Sequence, residues 1–295
     1  MMTKKNLILI PVFILVLFNS CSNDDDGGPA VTTITIDTIG LEPLNGGSSY
    51  QGWLIVDGTP KPTAKFTDPS GIVKLDVLVS DIEKSSQFVL TIEPKGDNDN
   101  IPSNAKILTG NFKGTAAQLS FSPVVADLSN ISGQFFLATP TDNVNGVNNG
   151  NDEFGVWFMK KDNTAGLSLP ILGNGWKYEG WVDFDGKILS TGTFSSANTV
   201  DDGNFFKGSG GTVPAFPGED FLIIPSQIPL TEITLPAKVT GKKVFITIEP
   251  FQDNDPAPFF IKPLAKTAGI TTGAENPIIM DVFTEVPSGR VTRPN

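Results

Sequence analysis

Thr91-Ile92-Glu93-Pro94-Lys95-Gly96-Asp97-Asn98-Asp99 returns as Thr247-Ile248-Glu249-Pro250-Phe251-Gln252-Asp253-Asn254-Asp255, with seven identities in nine positions set 156 residues apart. The register continues beyond that window: Pro102 matches Pro258, Lys106 matches Lys262 and Leu108 matches Leu264. Upstream, Tyr50-Gln51-Gly52-Trp53 returns as Tyr178-Glu179-Gly180-Trp181, now 128 residues apart, followed in both copies by Asp-Gly (57–58 and 185–186) and a phenylalanine (Phe66 and Phe194). The chain therefore contains a duplication, and the second copy carries about 28 extra residues, placed at 201–227. Each landmark has a structural reading. Tyr-x-Gly-Trp opens a strand, and Asp-Gly is the signal of a type I′ hairpin turn. Thr-Ile-Glu-Pro ends a strand, because proline cannot extend a hydrogen-bonded ladder. Asp-Asn-Asp supplies side chains that close turns on the backbone.

Composition agrees with a β protein. The chain has 30 Gly, 23 Pro and 21 Phe, and no helical period holds for more than about ten residues. Short β-rich runs bounded by Gly, Pro, Asn or Asp occur at 31–36, 52–56, 88–92, 134–138, 155–159, 181–184, 243–248 and 278–283; only 73–84 reads as holding a helical turn. The expected fold class is all-β, with two related β-sandwich-like (immunoglobulin-like) domains. The first is placed at 31–125 and the second at 175–295. A connecting β segment with an Asn/Gly-rich loop is expected at 126–174.

The first thirty residues carry an address. Lys4 and Lys5 precede an apolar run at 7–18, and Ser20 stands before Cys21, the chain's only cysteine. The run is too short for a bilayer core, which needs roughly 20 residues, so 1–20 reads as a lipoprotein signal peptide with lipidation at Cys21. Phe18 and Asn19 depart from the tightest lipobox pattern in a way that resembles lipoproteins of the Bacteroidetes group. Residues 21–30 include Ser22-Asn23-Asp24-Asp25-Asp26-Gly27-Gly28-Pro29, an acidic flexible tether, which resembles the signal that sends such lipoproteins to the outer face of the outer membrane. The expected location is thus an outer membrane lipoprotein exposed at the cell surface, with the periplasmic face as the alternative. Without residues 1–20 the chain keeps 19 basic and 32 acidic residues, a net charge of −13. That balance argues against nucleic acid and against direct adhesion to anionic lipid. The expected membrane contact is through the lipid anchor.

Tyr-x-x-Trp, a glycine-containing hairpin, a phenylalanine and a strand ending in Thr-Ile-Glu-Pro resemble the extracytoplasmic C-terminal domain of anti-sigma-K factors. Both copies fit, and Leu169-Pro170 ahead of Tyr178 fits as well. The resemblance implies a β module of sensory type. It does not imply inhibition of a sigma factor, since a lipoprotein signal stands where that family has a cytoplasmic domain and a transmembrane helix; no sigma factor is expected as a partner.

The chain contains no histidine, which removes Ser-His-Asp and Cys-His systems and His-based zinc hydrolysis. No phosphate-cradling or dinucleotide motif is present. Carboxylate chemistry remains, with Glu93, Glu249, Glu179, Glu219 and Asp220 as candidates for a glycosidase pair. Glu93 and Glu249 also have a structural reading, as acceptors of turn N–H groups. Calcium is the one cofactor with a motif: Asp97, Asp99, Asp253 and Asp255, with the acidic stretch 142–153, supply oxygen ligands but lack EF-hand spacing, and the alternative is solvated turns.

Recognition has two candidate surfaces. Trp53, Trp157, Trp176, Trp181, Tyr50 and Tyr178 would form a glycan-stacking platform if exposed, or a core if buried. Phe205, Phe206, Phe216 and Phe221, among the glycines of the insertion, form a candidate recognition loop. The expected function is a non-enzymatic, lipid-anchored cell-envelope protein with a binding or assembly role and an unknown protein or glycan ligand. The alternative is a calcium-stabilised glycan-binding lipoprotein of a nutrient-uptake system.

Overall fold

The computed structural model describes residues 28–225, 233–253 and 255–294. The signal peptide, Cys21, most of the tether and the end of the insertion lie outside the described residues. The first unit contains β1 (Val31–Ile39), β2 (Ser49–Val56), β3 (Thr59–Phe66), β4 (Ile72–Leu78), the short helix α1 (Val79–Lys84), β5 (Ser85–Glu93), β6 (Lys106–Lys113) and β7 (Ala116–Ser120). Then follow β8 (Ser132–Phe135), β9 (Gly155–Trp157), β10 (Leu167–Ser168), β11 (Trp176–Phe184), β12 (Lys187–Phe194), β13 (Gly218–Asp220), β14 (Lys243–Pro250), β15 (Leu264–Thr267), β16 (Ile278–Ile279), β17 (Asp281–Val282) and β18 (Ser288–Thr292). The all-β expectation holds, and the helical turn expected within 73–84 is α1.

The seven strands of the first unit, joined by β18 from the far end of the second repeat, form one eight-stranded antiparallel sheet in the order β3-β2-β5-β6-β7-β18-β1-β4. A sandwich would divide them between two facing sheets. Here the short link from β3 to β4 brings the two edges together at one end, so the sheet rolls and buries one face against itself. Alternation along the strands fills that face: Ile34 stands opposite Leu75 and Ile36 opposite Val73 on β1 and β4, while Thr33 and Asp76 share a hydrogen bond on the exposed face. The two Asp-Gly turns have positive φ at both central residues, 50° and 78° at 57–58 and 56° and 96° at 185–186, as type I′ requires. The motif glycines serve the core. A Cβ on Gly52 would lie 2.5 Å from the Phe88 ring, and one on Gly180 would lie 3.1 Å from the Phe158 ring and 2.2 Å from the Thr191 hydroxyl.

The second unit repeats the order in shorter pieces. β12-β11-β14-β15-β17 form one sheet, β10-β8-β16 another and β13-β9 a third. β17 lies beside β8 and β13 beside β12, and a bridge from Phe136 to Trp157 carries β8 onto β9. Read around the unit, the order is β12-β11-β14-β15-β17-β8-β9-β13. Apart from the two-residue β10 and β16, which pair with β8, this matches the first sheet, with β8 in the place that β18 holds there. Two expected boundaries change as a result. Residues 126–174 are not a connector, because they supply β8, β9 and β10 to the second unit. The last strand, expected within the second domain, pairs instead with β1 and β7 of the first. Strand partners are chosen by long-range packing, which contiguity in sequence does not report.

One continuous hydrophobic cluster runs through both units. The units meet through corresponding turns. Trp176, at the start of β11, donates from its indole N–H to the Lys106 carbonyl at 3.0 Å. Gly175 sits so close to the first unit that a Cβ would fall 2.3 Å from the Asn104 backbone. In the opposite sense, Gly46 of the first unit packs on Asp255 of the second. Each unit thus brings a loop glycine into close contact with a loop of the other.

Candidate functional site

The repeat landmarks assemble into twin hydrogen-bond chains. In the first copy the Trp53 indole N–H donates to the Thr91 hydroxyl at 2.8 Å, and that hydroxyl donates to Glu93 Oε1. In the second, the Trp181 indole N–H donates to the Thr247 hydroxyl at 2.8 Å, and Thr247 donates to Glu249 Oε1. Each carboxylate then reaches ten residues ahead, accepting the N–H of Ser103 at 3.2 Å or of Phe259 at 2.9 Å. Each tyrosine donates eight residues back, Tyr50 to the Glu42 carbonyl and Tyr178 to the Pro170 carbonyl, both at 2.8 Å. Tyr-x-Gly-Trp and Thr-Ile-Glu-Pro are thus two ends of one device, which pins the loops after β5 and β14. Glu93 and Glu249 accept loop N–H bonds, as their structural reading expects. Among the described residues the second oxygen of each accepts no hydrogen bond, and burial pushes both carboxyls up, Glu249 to about 8. Glu179 is also raised by burial, and Ser190 donates to it.

Thr247→Val removes the acceptor of a buried indole N–H and a donor to Glu249. Stability should fall by about 1–3 kcal/mol, while Thr247→Ser keeps most of it; urea denaturation of the pair checks this, and equal stability of the two variants would refute the chain's role.

All four tryptophans and both tyrosines are buried. They fill the interior, and the stacking platform that motivated a glycan reading is not on the surface. The insertion behaves in the same way. Phe206, Phe216 and Phe221 are buried, and only Phe205, at 47% exposure, reaches solvent. Phe206 stacks on Phe221 at 5.6 Å, and Phe221 meets Phe184 edge-on at 5.0 Å. The candidate recognition loop is therefore largely a plug. Its apolar side chains have somewhere to go because β13 pairs with β9 and carries the segment onto the second unit.

Three carboxylates clip this plug in place. Asp220 Oδ1 accepts the Trp157 indole N–H at 2.7 Å, and its Oδ2 accepts the Thr141 N–H at 2.8 Å and the Thr141 hydroxyl at 2.6 Å. Asp201 accepts the N–H groups of Gly218 and Gly203 at 2.8 and 3.1 Å. Glu219 accepts those of Phe206 and Asp220 at 3.2 and 2.9 Å. All three are buried, and burial pushes their carboxyls up, to about 7 for Asp201, about 8 for Glu219 and about 6 for Asp220. Glu219 and Asp220 are adjacent on β13 and fully buried; both face N–H and O–H donors that hold structure. Nothing in the sequence marks Thr141 as a partner of Asp220. That pairing spans 79 positions.

The acidic turns close on themselves. Asp97 Oδ1 accepts the Asp99 N–H at 3.0 Å and Asp99 Oδ1 the Ile101 N–H at 2.7 Å. Asp253 and Asp255 do the same with Asp255 and Ala257, at 2.8 and 3.0 Å. These are the turns that the spacing predicts. Among the described residues no group of three or more His, Cys, Asp and Glu side chains is placed to hold a metal ion.

The turns do line an opening. Between the loop after β5 and the start of the loop after β14 lies a cleft of about 550 Å³, walled by Pro94, Asp97, Asp99, Asn104, Pro250 and Gln252 among others. Phe251 and Ile101 stand at it, 64% and 69% exposed, with the Lys177 ammonium 6.0 Å from the Phe251 ring centre. The Asp99 N–H holds the Asp97 carboxyl below its ordinary range, and Lys65 lies 3.8 Å from that carboxylate. Asp97 and Asp99, calcium candidates or solvated turns by their sequence, lie here beside Phe251, which no motif marks. Phe251 is one of the two positions at which the nine-residue repeat differs, Lys95 standing in the first copy, and that difference was the legible signal. No protein-family model matches the chain, and no curated protein and no solved structure matches it.

Proposed function

We propose that this chain is a non-enzymatic binding or assembly protein of the bacterial cell envelope, anchored by lipid at Cys21 and displayed on the outer face of the outer membrane. The inter-repeat cleft is its contact site, and the anti-sigma-K-like module serves as scaffold with no sigma factor as partner. The observation that carries this reading is a division of labour. The tryptophans and the buried carboxylates are engaged in holding the two repeats and the plug. The cleft where the twin loops meet keeps an exposed phenylalanine and isoleucine beside polar side chains, the mixture that ligand-contacting clefts present. The absence of histidine and the position of the one cysteine support a non-catalytic role. With the tryptophans buried, the glycan-uptake alternative has no observation of its own.

The test is a photo-crosslinking residue placed at position 251 in cells carrying the intact chain. A discrete adduct from position 251, absent from the exposed control position 74 and absent when Cys21→Ser removes the anchor, is the expected result. No adduct from position 251, or turnover of esters, phosphates or glycosides by the purified chain, would sink the reading.

A further inference from the structure

The two units exchange strands. In sequence, β8 is the strand that follows β7, and β18 is the strand that follows β17. In space, β18 lies between β7 and β1 of the first unit, while β8 lies between β16 and β10 of the second, with a bridge from Phe136 on to Trp157 of β9. The two are counterparts in sequence as well. Ser132-Gly133 and Ser288-Gly289 stand 156 residues apart, the offset that relates Thr91 to Thr247. Each repeat therefore donates its final strand to the other and receives the other's in return, which is the geometry of a domain swap completed within one chain.

The first slot is built for this strand. Val291 is fully buried and stands opposite Ile36 on one side and Ala117 on the other. Gly289 passes so close to β1 that a Cβ would lie 2.8 Å from the Asp37 carbonyl oxygen. Just beyond β18, Arg293 donates to the Gly114 and Ile82 carbonyls at 3.0 and 2.7 Å, and its guanidinium lies 5.0 Å from the Phe112 ring centre. The strand meets these contacts with Gly289, Val291 and Arg293, set two positions apart.

We propose that the slot between β7 and β1 is an acceptor site for an extended strand, filled here in cis by β18, and that its partner in trans is the same strand of a second copy of this chain. The pairing costs nothing new, since a strand from another molecule would make the contacts that β18 makes. The links at 121–131 and 283–287 are the hinges on which the exchange turns. Within one chain the strand is held at an effective concentration in the millimolar range, so the closed monomer dominates in dilute solution. Release of the strand at high local concentration, as on a crowded membrane surface, links chains into dimers.

The experiment uses the chain carrying Cys21→Ser, with a protease site introduced between Thr284 and Glu285. After cleavage, a fluorescent peptide of residues 286–293 should enter the slot, read as a rise in anisotropy, and the same peptide carrying Val291→Asp should bind at least tenfold more weakly. If cleavage loosens the first unit, adding the peptide should restore its β-sheet circular dichroism. Separately, uncut chains bearing two different affinity tags, refolded together at millimolar concentration, should copurify as dimers. Equal binding of the Val291→Asp peptide, failure of the cognate peptide to enter or restore the cut chain, or tagged chains that stay separate would each overturn the proposal.

Discussion

Replacing Asp220 with alanine should lower the stability of the chain by about 3–5 kcal/mol, because it leaves three buried donors without their acceptor at about 1–3 kcal/mol each. The carboxylate gathers three donors: the Trp157 indole N–H, the Thr141 N–H and the Thr141 hydroxyl. All three belong to buried residues, and a buried donor left without an acceptor costs about 1–3 kcal/mol. The damage should spread along the plug. The Thr141 hydroxyl also accepts the Gly208 N–H at 2.8 Å, and the Thr141 carbonyl accepts those of Gly210 and Gly211 at 3.0 and 2.8 Å. Asp220→Asn retains one carbonyl oxygen and should lose roughly half as much. Denaturant unfolding gives the magnitude, and hydrogen exchange gives the location, with faster exchange at 208–211 and at the Trp157 indole. A loss below about 1 kcal/mol for Asp220→Ala would mean that the plug is held by its phenylalanines alone.

The second large effect is on pH. Burial raises the carboxyls of Glu249 and Glu219 from 4.5 to about 8, of Asp201 from 3.8 to about 7 and of Asp220 from 3.8 to about 6. A group whose folded pKa lies above its unfolded value binds more protons when folded, so the stability it confers falls as pH rises. That contribution is complete below about pH 4 and is lost progressively as pH rises to about 8. Exposed carboxyls held low by turn N–H groups, such as Asp68 and Asp127, act in the opposite sense, and their contribution is lost as pH falls through their depressed folded values. The melting temperature should therefore rise by several degrees between pH 8 and pH 5.5, then fall under stronger acid. The net charge of −11 pushes the same way, so the site-specific part is isolated by Glu249→Gln, which keeps the one oxygen that accepts hydrogen bonds among the described residues. It should flatten the profile and make the chain more stable than the unmodified one at pH 8. Parallel profiles for the variant and the parent would rule out Glu249 as a source.

Much of this architecture was legible in particular residues. The two Asp-Gly pairs specified hairpins, and the Asp-Asn-Asp runs specified turns that close on backbone N–H groups. The spacing of Thr-Ile-Glu-Pro to its repeat revealed the duplication. The Tyr, Trp, Thr and Glu of the landmarks were visible as a set, but their union into one hydrogen-bond chain was not, because β2 and β5 bring together residues 38 positions apart. Ser132-Gly133 and Ser288-Gly289 keep the register of the repeat and were available as a sign of strand exchange. Two residues are weak evidence when read alone, and they gain weight only once β8 and β18 occupy equivalent slots.

The insertion shows where such reading stops. Four phenylalanines among glycines are equally compatible with a recognition surface and with a plug, since composition states that the rings must be covered and leaves open what covers them. The second unit supplies the cover, through β9 and the clips at Asp201, Glu219 and Asp220. The amino-acid sequence by itself determined the β class, the duplication and the chemistry of the turns, because these depend on local backbone preferences and on periodicity. Tertiary structure alone decided which strand closes which unit, which acids lie buried and raised, and which aromatic residue stays in the open at the cleft. Those outcomes depend on long-range packing, where a residue's neighbours come from distant parts of the chain.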